Sequence, residues 1–308
     1  METITNFYSM AERLKQRSKR VRVAVACPAD EHTEQVVARA MAEGIACFTL
    51  VAAEGQTATA ERLKAQAEGA AAESLQLIVA TDQKQACQRA VAEVRLGQAD
   101  VLMKGTVNTD VLLRAVLDKE QGLLRKGSVL THMAIAQLQG LGRLLLFTDA
   151  AVIPQPTLEQ LRAMLGYAAS VYRRVVGSKA PRIALTHCTE QTSEKFPVTL
   201  SYAALKQECA QGLLGDIVVG GPMDLKTALD SESGALKGIS SPVVGQADVI
   251  VFPDIEAGNT FYKTLTLLRP DTVVAGMLCG TTAPVVVTSR ADTAESKYSS
   301  LVAACATV

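Results

Sequence analysis

Short apolar runs rich in β-branched residues alternate along the chain with segments of helical periodicity. The apolar runs predict strands at Val21–Cys27, Ile45–Ala52, Leu75–Ala80, Asp100–Met103, Arg143–Phe147, Arg182–Thr186, Asp216–Val219, Asp248–Phe252, Thr272–Leu278 and Pro284–Thr288. The segments between them predict helices near 5–17, 31–43, 57–69, 82–96, 108–119, 157–175, 198–211, 223–232, 257–268 and 293–305. Because the predicted strands are almost continuously apolar, they suit a sheet that is buried on both faces. The pattern predicts an α/β fold with mainly parallel sheets flanked by helices.

Three of the predicted helices begin with a capping signal, in which a short polar side chain precedes Glu or Gln by three residues. The pairs are Asp82 with Gln85, Thr157 with Gln160, and Asp292 with Glu295. We expect no internal repeat, and no long linker stands out. A boundary between domains is therefore expected inside the α/β alternation.

The size and charge of the chain limit the classes of function. Its 308 residues predict two domains or one large one. Hydrophobic residues make up 48% and charged residues 20%, as in an ordinary globular protein. Lys plus Arg and Asp plus Glu both number 31, so the net charge is zero. We expect no nucleic acid partner, since neutralising a phosphate backbone requires a basic excess.

Targeting segments and metal ligands are also missing from the pattern. No apolar run approaches the roughly 18 residues of a membrane span, and the first residues do not resemble a signal peptide. The seven cysteines are widely spaced, which favours reduced thiols in the cytoplasm. With three histidines and no clustered ligands, we expect no metal site.

Polar or glycine-bearing residues follow six of the predicted strands. They are Lys104–Thr106, Thr148–Asp149, His187–Thr189, Gly220–Pro222, Pro253–Asn259 and Ser289–Asp292. In open parallel sheets, ligands bind at the carboxyl ends of the strands, so these six segments together predict a ligand-binding site there. Each segment alone also suits an ordinary turn. The phosphate-binding loop, the dinucleotide fingerprint and the nucleophile elbow of α/β-hydrolases are all incomplete in this sequence.

Two arginines suit a phosphoryl or carboxylate ligand. Arg290 leaves an apolar strand with Ser289 before a helix, and Arg114 lies on a helix that begins after Thr106-Val107-Asn108-Thr109. A guanidinium group and helix-start N–H groups together can hold an anion. A strand cap at Arg290 and a solvated helix position at Arg114 explain the same residues equally well.

At these residues the chain resembles a known family. The matching segments are Leu102–Gly105, Leu113–Glu120, Gly127–His132, Leu146–Ala151, Gly221–Pro222, Ser241–Asp248, Pro253–Asn259 with Tyr262-Lys263, and Thr288–Asp292. Together they resemble the phosphate acetyltransferase/phosphate butyryltransferase family, and most closely its butyryl branch. The resemblance runs from about residue 100 to the end of the chain.

The resemblance implies an isocitrate-dehydrogenase-like fold of two α/β domains with the active site in the cleft between them. The first domain would comprise 1–127 and 275–308, and the inserted second domain 128–274. The implied reaction converts a short-chain acyl-CoA, such as butyryl-CoA, and phosphate into acyl phosphate and CoA. The resemblance further implies that the substrates are small molecules, that no metal or permanently bound cofactor is needed, and that the protein is a homodimer. Phosphate acetyltransferase is the alternative among enzymes, and a catalytically silent CoA- or acyl-phosphate-binding protein is the alternative outside them.

The resemblance also implies roles for individual residues. It assigns Ser289, Arg290 and Asp292 to catalysis. It assigns Lys104, Thr106, Arg114, His132, Thr148, Asp149, Pro253, Asp254, Glu256, Gly258, Asn259 and Lys263 to substrate binding. Asp292 is either the base that receives the CoA thiol proton or the cap of the last helix. Because capping lowers the pKa of a carboxyl group, we favour the cap.

Overall fold

The computed structural model describes residues 3–66, 74–177, 180–269, 271–288 and 292–308. The chain forms two compact units, each with a mainly parallel sheet flanked by helices. Among the described residues, the first unit comprises 7–128 and 275–308, and the second comprises 3–6 and 129–274. The predicted α/β class is confirmed. The predicted domain boundaries remain a prediction, because they concern which segments of the chain fold independently.

The first unit contains a six-stranded sheet. Its elements are α1 (Phe7–Lys15), β1 (Val21–Ala26), α2 (Glu31–Ala42), β2 (Ala46–Ala53), α3 (Ala58–Gln66), β3 (Leu75–Ala80), α4 (Gln83–Arg95), β4 (Val101–Lys104), α5 (Thr109–Val116), β10 (Val273–Cys279, from Ala275 onward), β11 (Val285–Val286) and α11 (Ala294–Ala306). The strand order is β3-β2-β1-β4-β11-β10, and only β10 is antiparallel to its neighbour. The predicted end of the helix at 57–69 lies outside the described residues.

The second unit contains a five-stranded sheet. Its elements are β5 (Thr131–Gln137), β6 (Leu144–Thr148), α6 (Leu158–Val175), β7 (Arg182–Thr186), α7 (Pro197–Ala210), β8 (Val218–Met223), α8 (Leu225–Leu229), α9 (Ser231–Leu236), β9 (Val249–Val251) and α10 (Ile255–Leu268). The order is β5-β6-β9-β7-β8, and only β5 is antiparallel to its neighbour. The carboxyl ends of β6, β9, β7 and β8 therefore lie along one edge of this sheet.

Both units contain the same ion-paired motif at the start of two adjacent parallel strands. The backbone N–H and the Nε of Arg22 donate to Asp100 Oδ2, at 2.9 and 3.0 Å. Arg182 makes the same two hydrogen bonds to Asp248 Oδ2, each at 2.9 Å. Each aspartate lies in a Gly-Gln-Ala-Asp-Val segment. The two units thus share this short motif, which was not predicted.

Three elements differ from the prediction. Gly220–Pro222, predicted to follow a strand at Asp216–Val219, lie inside β8. The strand β5 was not predicted, although its segment is buried from Thr131 to Ala136. The single helix predicted at 223–232 is two short helices, α8 and α9. Asp230 separates them, because its N–H bonds to Lys226 O at the end of α8 and its carboxylate accepts the N–H of Glu232 in α9.

Candidate active site

Asp149, at the carboxyl end of β6, is the centre of a buried hydrogen-bond network. Its Oδ2 accepts the Thr131 hydroxyl at 2.7 Å and the backbone N–H of His132 at 3.0 Å. Its Oδ1 accepts the backbone N–H groups of Ala151 and Val152 at 2.7 and 2.8 Å. The side chain is almost fully buried, so both carboxylate oxygens bind donors from the chain itself. Asp149 therefore holds the loop after β6 in place.

Thr148 extends the same network. Its hydroxyl lies 3.0 Å from that of Thr131, and both residues are fully buried. The peptide bond between Thr148 and Asp149 is cis. His132 is also buried, with its ring 6.3 Å from that of Tyr262 and nearly perpendicular to it. Three of the predicted site residues, His132, Thr148 and Asp149, thus lie together.

The first turns of α10 pack against this loop. Asp254 caps the helix by accepting the backbone N–H of Ala257 at 2.8 Å. Asn259 donates from Nδ2 to the backbone oxygen of Ala150 at 2.9 Å. A Cβ atom built on Gly258 would lie 2.0 Å from the backbone oxygen of Asp149, so only glycine fits. The β6 loop and the start of α10 therefore form one rigid arrangement.

The other predicted residues of this segment are more accessible. Pro253 is partly buried, whereas Glu256 and Lys263 are exposed. The Nζ of Lys263 lies 5.1 Å from the centre of the Tyr262 ring, within range of a cation–π interaction. Glu256 and Lys263 can thus contact a ligand without displacing a buried hydrogen bond.

In the first unit, Lys104 and Thr106 stabilise the loop that leaves β4. The Nζ of Lys104 donates to the backbone oxygens of Gly105 and Val107, both at 3.1 Å, and this side chain is buried. The hydroxyl of Thr106 donates to Cys27 O at 3.0 Å. These contacts place the two predicted residues together at the carboxyl ends of β1 and β4.

Two buried thiols lie near the same strand ends. A hydrogen bond between the thiols lowers the pKa of Cys27 and raises that of Cys87. Both residues are fully buried. Because neither sulfur is accessible, neither is a candidate nucleophile.

Arg114 lines a groove between α4 and α5, and Lys104 and Thr106 are not among the residues that line it. Its side chain is 83% exposed, and its Nη2 lies 3.7 Å from Asp110 Oδ2. The groove has a volume of about 680 Å³, and Lys84 and Arg89 of α4 also line it. Its lining also includes the carboxylate of Asp118 and the apolar residues Val91, Ala92, Val111 and Ala115. The groove therefore offers three cationic groups beside an apolar surface.

The residues before α11 are placed only in part. Ser289 and Arg290 lie outside the described residues. The predicted cap at Asp292 is wrong, because the cap of α11 is Thr293, which accepts the backbone N–H of Ser296 at 3.1 Å. Asp292 precedes the cap by one residue, and the Thr293 hydroxyl is the group that reaches the third N–H of the helix.

Three residues of the Asp149 hydrogen-bond network and of the groove between α4 and α5 were not predicted from the sequence. Thr131 was missed because β5 was missed, although Thr131 precedes His132 in a segment that resembles the family. Lys84 and Arg89 were missed because they lie on α4, away from the strand ends. The capping pair Asp82 and Gln85, with the Gln85 N–H 2.8 Å from Asp82, marked the start of that helix and could have directed attention to it.

Metal-ligand clusters and membrane-spanning helices are both absent from the described residues. No group of three or more His, Cys, Asp or Glu side chains within the described ranges could hold a metal ion. No helix in the part of the chain that the structure describes is long and apolar enough to cross a membrane.

Known proteins resemble this chain over nearly its whole length. A family profile described as "Phosphate acetyl/butaryl transferase" matches residues 62–305. A phosphate butyryltransferase of Clostridium acetobutylicum is 36% identical, covering 94% of each chain. A phosphate acetyltransferase of Thermotoga maritima is 32% identical, covering 92% of this chain and 94% of that protein. The crystal structure of a branched-chain phosphotransacylase from Enterococcus faecalis superposes with a TM-score of 0.79 at 31% identity, covering 93% of this chain and 98% of that one.

Proposed function

Because the chain belongs to the phosphate acetyltransferase/phosphate butyryltransferase family, and is an enzyme that transfers acyl groups reversibly between CoA and phosphate, we propose that its substrate is a short-chain acyl-CoA of the butyryl type. The observation that carries this proposal is the 36% identity to a phosphate butyryltransferase over 94% of the chain. Acetyl-CoA is the second candidate, since a phosphate acetyltransferase is 32% identical.

We propose that Ser289, Arg290 and Asp292 carry the chemistry. In the direction of acyl-CoA synthesis, the CoA sulfur attacks the carbonyl carbon of the acyl phosphate, a C–S bond forms, and the C–O bond to phosphate breaks. Asp292 receives the proton of the thiol, since thiolate is the nucleophilic form. The Arg290 guanidinium and the Ser289 hydroxyl stabilise the negative charge on the carbonyl oxygen and the departing phosphate.

The contacts support different roles for the predicted substrate-binding residues of the second unit. Asp149, Asp254 and Thr148 position the β6 loop and the start of α10 through the hydrogen bonds described above. Gly258 permits their close approach. We propose that Pro253, Glu256, Asn259 and Lys263 then provide the surface that contacts substrate, because α10 begins beside that loop. The buried His132 supports this surface through its backbone hydrogen bond to Asp149.

We propose that Arg114 binds the phosphate groups of CoA rather than free inorganic phosphate. Supporting this is the size of the groove, about 680 Å³, which suits a nucleotide better than a single small anion. Lys84 and Arg89 add positive charge for the pyrophosphate and the ribose phosphate, and the apolar residues of the lining suit the adenine ring. Lys104 and Thr106 stabilise the loop that follows β4 in the same unit.

We also propose an oligomeric state, a location, partners and cofactor requirements for the enzyme. The enzyme would act as a homodimer in the cytoplasm on small-molecule substrates, with no nucleic acid or membrane partner. It would require no metal and hold no permanent cofactor, because the CoA thiol and the acyl phosphate supply the nucleophile and the leaving group. Light scattering tests the dimer, and activity retained after dialysis against a chelator tests the metal requirement.

A panel of acyl-CoA substrates tests the function. The purified enzyme receives acetyl-, propionyl-, butyryl- and branched valeryl-CoA, each with and without phosphate, and the release of free thiol is measured. We expect phosphate-dependent release with the highest kcat/KM for butyryl-CoA or its branched neighbour. One methylene in the acyl pocket changes kcat/KM by about 10- to 200-fold. A clear preference for acetyl-CoA would favour the second candidate, and no phosphate-dependent release from any substrate would refute both.

A further inference from the structure

The groove between α4 and α5 contains a carboxylate among its cations. Asp118 lines it together with Lys84, Arg89 and Arg114. Because a carboxylate repels phosphate groups, the binding of CoA phosphates by the three cations does not account for Asp118. An anionic oxygen instead suits a part of the ligand that donates a hydrogen bond.

The turn that follows α5 fixes one of the two carboxylate oxygens of Asp118. Its Oδ1 accepts the backbone N–H groups of Gln121 and Glu120, at 2.7 and 2.9 Å. These hydrogen bonds hold the pKa of the Asp118 carboxyl group below its ordinary value of 3.8, so at neutral pH the group is charged and can only accept. Within the described residues, no group donates to Oδ2. Because the side chain is exposed and lines the groove, Oδ2 is the acceptor that it offers to a ligand.

Backbone contacts make the same turn rigid. The N–H of Gly122 donates to Asp118 O at 3.0 Å, and the N–H of Leu123 donates to Val116 O at 2.8 Å. A Cβ atom on Gly122 would lie 2.4 Å from each of these two oxygens, so only glycine permits the turn. Asp118 is thus held at a defined position beside the groove, as a residue that distinguishes between ligands must be.

The other polar residues of the lining are less selective. Gln85, Gln88 and Gln121 also line the groove, and an amide both donates and accepts hydrogen bonds. An amide can therefore pair with the polar edge of any base. A carboxylate accepts only, so Asp118 favours a base that donates at the matching position and disfavours one that accepts there.

We propose that Asp118 selects the adenine base of CoA, with its Oδ2 accepting a hydrogen bond from the exocyclic amino group at N6 of the base. Adenine carries this donor, and the apolar residues of the lining suit the faces of the ring. The inference rests on the proposed function, in which this groove binds the nucleotide part of CoA. Asp118 is then a specificity-determining residue, while Lys84, Arg89 and Arg114 bind the phosphates.

Isothermal titration calorimetry with two nucleotides tests the proposal on the wild-type protein. Adenosine 3′,5′-bisphosphate carries the base, the ribose and two of the phosphate positions of CoA. Inosine 3′,5′-bisphosphate differs by a carbonyl oxygen in place of the amino group, so it places an acceptor against the carboxylate. We expect its Kd to be higher by on the order of 10-fold, the effect of losing one hydrogen bond to a charged group. This comparison needs no substitution, so no folding defect can decide it.

Asp118→Asn should reverse the preference between the two nucleotides. The amide oxygen stays at the Oδ1 position, where the N–H groups of Glu120 and Gln121 donate, and the NH₂ group takes the place of Oδ2. This NH₂ group opposes the amino group of adenine but can donate to the carbonyl oxygen of the inosine base. We expect the Kd of the adenosine compound to rise by on the order of 10-fold and that of the inosine compound to fall. Asn forms the same turn as Asp, so the melting temperature should stay close to that of wild type.

Asp110→Asn is the matched control for the loss of a negative charge. Asp110 Oδ2 lies 3.7 Å from Nη2 of Arg114, but Asp110 is not among the residues that line the groove. Asp110→Asn should keep the wild-type ratio of the two Kd values. Equal Kd values for the two nucleotides in wild type, or no binding of either, would overturn the proposal. Tighter binding of the adenosine compound by Asp118→Asn would overturn it too, because loss of charge alone has that effect.

Turnover is measured in parallel, as phosphate-dependent release of thiol from butyryl-CoA. Turnover without discrimination between the two nucleotides would refute this inference and leave the proposed function intact. Discrimination without turnover would refute the proposed acyl transfer and leave the selection of adenine by Asp118 standing, because the calorimetry requires no chemistry.

Discussion

Gly258 packs directly against the backbone oxygen of Asp149: a Cβ atom on Gly258 would lie 2.0 Å from that oxygen and 2.9 Å from the attached carbonyl carbon. The neighbouring groups are backbone atoms, which cannot move aside as a side chain could. The start of α10 and the loop after β6 are thus in close backbone contact, which leaves no room for a side chain at residue 258. The precise placement of the residues on both segments depends on this contact.

Gly258→Ala should therefore displace α10 from the β6 loop. We expect kcat/KM for acyl-CoA to fall by on the order of 10- to 100-fold, because small displacements of positioned groups have effects of this size. The melting temperature should fall as well. Gly166→Ala is the matched control, since Gly166 also lies on a helix but a Cβ atom there would have no neighbour within 4 Å, and Ala at that position should preserve or raise stability. Wild-type activity and stability in Gly258→Ala would contradict this account of the contact.

Asp149→Asn tests whether both carboxylate oxygens are needed as acceptors. In either orientation of the amide, its NH₂ group faces at least one backbone N–H that now donates to the carboxylate. At least one backbone donor loses its acceptor and the charge-assisted bonds are lost, so we expect a loss of about 3 kcal/mol in the free energy of unfolding. Urea denaturation measures it. Asp254→Asn should change stability little, because Asn caps a helix nearly as well as Asp; an equal loss in the two variants would argue against the network.

The ends of β6 and β9 could be predicted from the sequence, but the end of β8 and the hydrogen bonds between the loops could not. Periodicity placed Thr148 and Asp149 at the end of β6, because apolar runs end where polar residues begin. The partner Thr131 lies on β5, whose short segment of alternating small and apolar residues gave no clear signal. The buried state of Asp149 depends on that unpredicted strand. Its role could therefore be recognised only from the structure.

The Arg22–Asp100 pair predicts a pH dependence of stability. Burial raises the pKa of Asp100, but hydrogen bonds from the Arg22 side chain and backbone outweigh this and hold it below its ordinary value of 3.8. A carboxyl group whose pKa is lowered by folding stabilises the folded state fully at pH values above its pKa in the unfolded chain. This contribution is lost as the pH falls through its pKa in the folded state. Wild type should therefore exceed Asp100→Asn in stability at pH 7, and the difference should shrink below pH 3.8. Urea midpoints across this range measure the difference, and a pH-independent difference would exclude the titration of Asp100 as its cause.

Arg114→Ala should raise the KM for CoA or acyl-CoA more than the KM for phosphate. The groove around Arg114 is open and large, so removing one of its cations weakens the grip on the CoA phosphates without affecting a smaller anion site. Lys84→Ala should show the same selectivity, because Lys84 lines the same groove. Initial rates with each substrate varied in turn provide both constants. A selective increase in the KM for phosphate would place inorganic phosphate in the groove instead.

The sequence pointed to Asp292 as the cap of α11, because Glu295 follows it by three residues, and the adjacent Thr293 was not predicted. The structure assigns the cap to Thr293, whose φ and ψ of −66° and 159° are extended and whose hydroxyl accepts the Ser296 N–H. The capping role that argued against Asp292 as the base therefore belongs to its neighbour.

Asp292→Asn and Thr293→Ala together separate catalysis from capping. Thr293→Ala should cost about 1 kcal/mol in the free energy of unfolding, as the loss of an N-cap does. Asp292→Asn should leave that free energy nearly unchanged but lower kcat by on the order of 100-fold or more, because an amide cannot take the CoA thiol proton. Denaturation gives the first quantity and thiol release the second. If Asp292→Asn instead keeps wild-type kcat, another group must receive the proton, since the cap is already supplied by Thr293.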